Sequence, residues 1–252
     1  MDEALIQIFV FIFGLLIGSF LNVCIWRLPR EESIIRPGSH CPACSTALGV
    51  RDLVPVLSWI FLRGKCRFCG ERIPIRYPVV ELLTGCLFLW CGLHYGPSPE
   101  LAAALIFSAF MVLISFIDLD HQIILDGSLL LLGASGLVLQ LWTGSVGFVS
   151  MLIGAFAGGG LLLVLAIVSG GGMGGGDVKF AFALGFWLGW QGTLLGLFLG
   201  FVLGGVGSML LLLFRLRGRK DFIPFGPFIA IGAWVALLYG NRILQWYFGF
   251  LN

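Results

Sequence analysis

Long apolar stretches are the feature that most constrains how this chain can fold. A helix that crosses a hydrocarbon core of about 30 Å needs roughly 20 apolar residues. Stretches of about this kind, two of them short, lie at 5–25, 79–93, 101–117, 123–141, 146–168, 178–190, 192–214 and 225–247. With 59% hydrophobic and 11% charged residues, the chain is not an ordinary soluble domain. We therefore predict an all-α polytopic membrane protein with about eight transmembrane helices, or seven, since Trp190 and Gln191 alone separate two of the stretches.

The basic residues predict the orientation in the membrane. Of fifteen Lys and Arg residues, nine lie within 27–76, one is Lys179, four lie within 215–220 and one is Arg242. Basic loops stay in the cytoplasm, so eight spans put these three loops inside and both termini outside. Asp2 and Glu3 stand where a cleavable signal carries positive charge, so the first stretch is interpreted as an anchor. The net charge of +2 then reflects topology and indicates no nucleic-acid partner.

A polar segment between the first two stretches predicts the domain organisation. We expect a first transmembrane helix at 1–26, a small cytoplasmic domain at 27–77 and a transmembrane core at 78–252. The remaining sequence consists of apolar stretches and short turns, including the glycine-rich loop 170–176.

Four cysteines in this polar segment predict a metal site. Two C-x-x-C pairs separated by 21 residues are contributed by Cys41, Cys44, Cys66 and Cys69. Four thiolates suit one tetrahedral Zn²⁺ and close its coordination shell, so the metal is predicted to be structural, one per chain, in a zinc-ribbon-like domain. The alternatives are free thiols, two disulfides, or His40 as a substitute ligand.

Carboxylates near predicted helix ends are the second chemical signal, because ionisable groups in a membrane are costly. They are Asp118, Asp120, Asp126 and Asp177. Asp118 ends the third predicted helix, which runs inward, and Asp177 begins the sixth, which runs outward, so both face the cytoplasm. Two adjacent carboxyl groups that share a proton can perform aspartyl-protease chemistry, and the glycine-rich loop would admit a substrate backbone. Alternatively, Asp177 caps its helix or pairs with Lys179.

Six landmarks in order are similar to those of one family: "GSFLNVCIWRLP", the two C-x-x-C pairs, "RYPVVELLTG", "IDLDHQIILD", "GMGGGDVK" and "IPFGP". The chain resembles the type IV prepilin peptidases, bifunctional leader peptidases and N-methyltransferases of type IV pilus, type II secretion and competence systems. The resemblance implies that Asp118 and Asp177 are catalytic. Supporting residues would be Asp120, Asp126, Gly174, Gly176 and Lys179, together with Pro224, Gly226 and Pro227, by analogy with presenilin-like Gly-x-Gly-Asp proteases.

The same resemblance implies the substrates and the second reaction. Prepilins or pseudopilins with a short basic leader and a hydrophobic helix would be cleaved at the cytoplasmic face of a bacterial inner membrane. S-adenosylmethionine would then methylate the new N-terminal amine at the cytoplasmic domain, near Gly64 and Lys65. One departure is Ile124-Leu125-Asp126, where the family often has Leu-Pro-Asp, a change expected to affect the start of the fourth helix.

Two other classes of protein remain alternatives to a protease. A transporter would distribute carboxylates through the middle of the bilayer, whereas these cluster at predicted cytoplasmic helix ends. A membrane scaffold with a zinc-ribbon docking module would give no reason for pairing Asp118 with Asp177.

Overall fold

A computed structural model describes residues 3–170, 172–214 and 223–249 of the chain. Within these ranges the fold is helical, and β-bridge pairing is limited to two isolated bridges, His40 with Ala47 and Lys65 with Arg72. The helices are α1 (Glu3–Arg27), α2 (Leu57–Phe61), α3 (Arg76–Tyr95), α4 (Pro99–His121), α5 (Asp126–Thr143), α6 (Phe148–Val168), α7 (Gly175–Leu213) and α8 (Gly226–Gly249). The predicted all-α membrane fold is therefore confirmed. The basic segment 215–220 and Asp2 lie outside the described residues.

The number of spans is approximately the predicted one. Among the described residues, six helices are long and apolar enough to cross a membrane, and α5, with 18 residues, lies at the fourth predicted stretch without being one of the six. The sixth and seventh predicted stretches form one element, α7, which is interrupted at Gly189. Gly189 has φ 63° and ψ −178°, and a Cβ atom there would lie 2.5 Å from Ser150 Oγ, so glycine permits both the break and the close packing on α6.

The chain divides into two compact units, Met1–Leu101 and Ala102–Asn252. In the first unit, α1 packs on α3 through small residues. A Cβ atom at Gly14 would lie 2.8 Å from Gly85 Cα, and one at Gly18 would lie 2.7 Å from Glu81 Cα. Such close helix approach is how membrane helices gain packing contacts where lipid supplies little hydrophobic drive. The domain boundaries at 26 and 77 stay predictions.

In the second unit, α7 is the central helix, packed against α5, α6 and α8. Its fully buried Trp187 donates a hydrogen bond from Nε1 to Leu132 O at 2.7 Å, and Gln140 Nε2 donates to Trp187 O at 2.9 Å. A hydrogen bond inside the apolar core has no competing water, so this reciprocal pair fixes α5 on α7. The first turn of α7, which carries Asp177, is therefore continuous with a part of the same helix that is anchored on α5.

Candidate functional site

Asp118 lies on α4, three residues before the helix ends at His121. Its side chain is buried, with 4% exposed, and its Oδ2 accepts a hydrogen bond from the backbone N–H of Gly226 at 2.9 Å. Gly226 is the first residue of α8 and is 108 positions away in the chain. The buried carboxyl group of Asp118 thus contacts the first N–H group of α8. The N-terminus of a helix favours negative charge.

Asp177 is the third residue of α7 and is also buried. Its carboxyl group lies close enough to Asp118 for the two to interact electrostatically, so the structure brings together the two residues that the sequence pairs. Gly174 is the N-cap residue of α7, and two hydrogen bonds join it to Asp177. The N–H of Asp177 donates to Gly174 O at 3.1 Å, and the carboxyl group of Asp177 accepts a hydrogen bond from the backbone of Gly174. The predicted helix-capping role therefore describes part of the surroundings of Asp177. Capping and membership of a carboxyl pair are compatible, because a carboxyl group can accept several hydrogen bonds.

Lys179 pairs with Asp126 of α5. Its Nζ donates to both carboxylate oxygens at 2.8 Å, and both side chains are exposed. The sequence offered Asp177 as the partner of Lys179, whereas the structure pairs Lys179 with Asp126. Asp120 lies exposed near the end of α4. Asp120, Asp126 and Lys179 are thus more exposed than the buried pair, and their supporting roles stay predictions.

The remaining glycines and prolines of the predicted site lie around the two aspartates. Gly174 has an extended backbone and is exposed, whereas a Cβ atom at Gly176 would press on Ile124 Cβ at 3.1 Å. Pro224 is buried just before α8, and Pro227 is the second residue of that helix, where its missing N–H is no loss. The departure before Asp126 leaves a regular helix start, since α5 begins at Asp126 with Leu125 extended.

The four predicted metal ligands meet at one point. Their Sγ atoms all lie within 4.8 Å of one another, and Cys41 Sγ is 3.8 Å from Cys69 Sγ. Four sulfurs about 2.3 Å from a tetrahedral zinc would be about 3.8 Å apart, so the cluster fits the ion. The cysteines are not disulfide-bonded, and among the described residues the cluster that could hold a metal consists of the four cysteines without His40.

Hydrogen bonds prepare part of this cluster for metal binding. The side chain and backbone of Thr46 lower the pKa of Cys44 to about 6, and backbone N–H groups of Cys69 and Phe68 lower the pKa of Cys66. A backbone hydrogen bond with Glu71 favours the Cys69 thiolate, but burial and the neighbouring thiols outweigh it and raise the pKa of Cys69 to about 12. Zinc binds thiolates, so a divalent metal would displace the proton from Cys69.

Gly64 and Lys65, the residues that the resemblance links to methyl transfer, belong to the second metal knuckle. Gly64 has φ +66°, and a Cβ atom there would lie 2.9 Å from the ring of Trp59. Trp59 Nε1 donates to Ile73 O at 3.1 Å, which holds the ring in place. Glycine is thus required at position 64 by backbone conformation and by packing, while Lys65 is exposed.

Glu81 is a buried acid that the analysis of the sequence did not single out. It lies on α3 with 8% of its surface exposed, and its Oε2 accepts a hydrogen bond from Val56 N at 2.7 Å. Val56 has φ 62°, a strained value for a β-branched residue. The signal was available, because a single Glu interrupts an otherwise apolar helix in "RYPVVELLTG".

Comparison with known proteins agrees with this arrangement. Residues 12–95 match the bacterial peptidase A24 N-terminal domain, and residues 105–209 match the type IV leader peptidase family. The prepilin leader peptidase/N-methyltransferase of Aeromonas hydrophila is 38% identical over 94% of this chain and 92% of its own length. The proteins of that name from Bacillus subtilis (strain 168) and Neisseria gonorrhoeae are 38% and 33% identical, each over 94% of this chain and over 96% and 92% of their own lengths. No solved structure matches the chain. On these matches, the chain belongs to the type IV leader peptidase family.

Proposed function

We propose that this chain removes the leader peptide of type IV prepilins or pseudopilins and then methylates the new N-terminal amine. The observation that carries the proposal is the pair of buried carboxyl groups, Asp118 and Asp177, which interact although 59 positions separate them in the chain (177 − 118). The relatives named prepilin leader peptidase/N-methyltransferase cover nearly the whole chain, which supports both activities.

The two carboxyl groups are proposed to act as an acid and a base. The ionised carboxylate takes a proton from water as the water oxygen attacks the scissile carbonyl carbon, and the protonated carboxyl group gives its proton to the carbonyl oxygen. When the tetrahedral diol breaks its C–N bond, the leaving nitrogen takes a proton from the first group and a diol hydroxyl returns one to the second. Both groups end in their starting states, and the products are a carboxylic acid and an amine.

The topology supports a site at the cytoplasmic face of a bacterial inner membrane. Two helices, α5 and α6, separate the end of α4 from the start of α7, and with the crossing predicted for α5 the chain returns to the same side. The nine basic residues within 27–76 favour the cytoplasm for the loop after α1, with both termini outside. Such a site would meet a basic leader in the cytoplasm while the hydrophobic helix of the substrate stays in the bilayer.

Zinc and S-adenosylmethionine complete the proposal. The four-cysteine cluster would hold one structural Zn²⁺ per chain, supported by the separations between its sulfurs. S-adenosylmethionine would transfer its methyl group from sulfur to the free amine, which loses a proton, and a thioether product would leave. Gly64 and Lys65 stay the candidate residues for this step, and the left-handed conformation of Gly64 gives that glycine a structural reason as well.

Substitution of the pair tests the function. Asp118→Asn and Asp177→Asn should each lower the rate of cleavage of a detergent-solubilised prepilin by at least about 10²-fold, the usual contribution of a general acid or base. Membrane insertion and methylation of a pilin trimmed beforehand should persist. Glu100→Gln, which removes a carboxylate at the opposite end of α4, serves as the control. Near wild-type cleavage by either aspartate variant would remove the proposed mechanism.

A further inference from the structure

The start of α8 presents one particular backbone donor to Asp118. Pro227 has no N–H, and the N–H groups of Phe228 and Ile229 both donate to Phe225 O, at 3.1 and 3.2 Å. Among the first four residues of α8, the N–H of Gly226 is therefore the one directed at another element, and it donates to Asp118 Oδ2. Backbone donors at a helix start need partners, and here a buried carboxyl group is that partner.

The space around this donor excludes a side chain. A Cβ atom at Gly226 would lie 2.7 Å from Asp118 Oδ2 and 3.2 Å from Asp118 Cγ. The first distance is shorter than real Cβ contacts allow, and the clash would fall on the carboxyl group itself. Position 226 therefore controls where this carboxyl group can lie, in addition to donating a hydrogen bond to it.

The start of α8 is also held on the helix that carries Asp177. The Phe225 ring lies 5.0 Å from the Phe201 ring of α7. Further along, a Cβ atom at Gly200 would lie 3.1 Å from Ile229 Cα, so the two backbones are in close contact. One helix, α7, thus carries Asp177 in its first turn and holds in place the residue that contacts Asp118.

We propose that the start of α8 is a third component of the active site, in which Gly226 is the positioning residue for Asp118. Its N–H engages Oδ2 and leaves Oδ1 as the oxygen that exchanges a proton with water. The absence of a side chain at position 226 keeps the carboxyl group beside Asp177. The proposal rests on the proposed function for its kinetic test, whereas the contact itself can be tested without any activity.

Kinetics with a matched glycine variant test the positioning role. Gly226→Ala should lower kcat for prepilin cleavage by about 10²-fold, the cost of misplacing a reacting group by about 1 Å, and leave KM within about threefold. Methylation of a pilin trimmed beforehand should be unchanged. Gly160→Ala in α6 is the control, since a Cβ atom there meets nothing within 4 Å. A wild-type kcat for Gly226→Ala, or a raised KM with kcat unchanged, would overturn the proposal.

A double-mutant cycle on thermal stability tests the contact independently. Gly226→Ala should lower the melting temperature of the wild-type chain but lower it by less than half as much when Asp118→Ala has removed the carboxyl group, because contacting residues are not additive. If Gly226→Ala alone fails to fold, the double variant should fold again. Equal shifts in both backgrounds, or no recovery of folding, would refute the contact. Coupling in the cycle together with full cleavage by Asp118→Asn would instead refute the proposed function and with it the catalytic part of the proposal.

Discussion

Removal of the proposed structural zinc should unfold the segment between α1 and α3 while the membrane helices persist. Within residues 28–75, the non-glycine residues that are buried are Cys41, Pro55 and Cys66. All are smaller than Val or Leu, whose full burial is worth about 1.5–3 kcal/mol each, so apolar burial supplies only a few kcal/mol. Large apolar side chains such as Val50 and Phe61 are 85% and 80% exposed. A structural zinc typically supplies about 10–16 kcal/mol of apparent binding free energy, so the metal term decides whether this segment folds.

The assay combines zinc analysis with hydrogen exchange. Cys41→Ser, or treatment with a strong chelator, should reduce zinc from about one per chain towards zero. Exchange should become fast at the N–H groups of Cys41 and Cys66, which donate to Thr46 O and Glu71 O in the two knuckles. Cys86→Ser is the matched control, because Cys86 is an exposed cysteine of α3 outside the cluster. If the chelated protein keeps slow exchange at both knuckles, the segment does not depend on the free energy of zinc binding, and the prediction is wrong.

Three further substitutions test residues for which the structure separates a structural role from a chemical one. Lys179→Met should reduce cleavage by less than about fivefold, because an exposed ion pair with Asp126 is worth about 0–1 kcal/mol; a loss of 10²-fold in a cleavage assay would give Lys179 a catalytic role. Gly64→Ala should lower zinc content and methylation together, since it strains a left-handed residue and presses on Trp59. Lys65→Ala should keep zinc and cleavage but lower methylation of a pilin trimmed beforehand, and unchanged methylation would remove Lys65 from that reaction.

Features that depend on local chemistry could be read from the sequence. The cysteine spacing predicts the four-cysteine cluster because each C-x-x-C pair is a short turn that presents two thiolates to one ion. Apolar length predicts the membrane helices because lipid leaves every backbone group to be satisfied within its own segment. Counting crossings predicts that Asp118 and Asp177 face the same side of the membrane, and this stays a prediction beside the electrostatic interaction between the two carboxyl groups.

Features that depend on contacts between distant segments were decided only by the tertiary structure. The hydrogen bond from Gly226 to Asp118 joins residues 108 positions apart, and Lys179 pairs with an aspartate on α5 although Asp177 lies two residues away in the chain. Likewise, α7 is interrupted at Gly189, where its backbone packs closely against Ser150 of α6. Apolar patterning indicates which segments enter the bilayer but says little about which faces meet, because lipid solvates any apolar face equally well. Close packing and single hydrogen bonds make that choice.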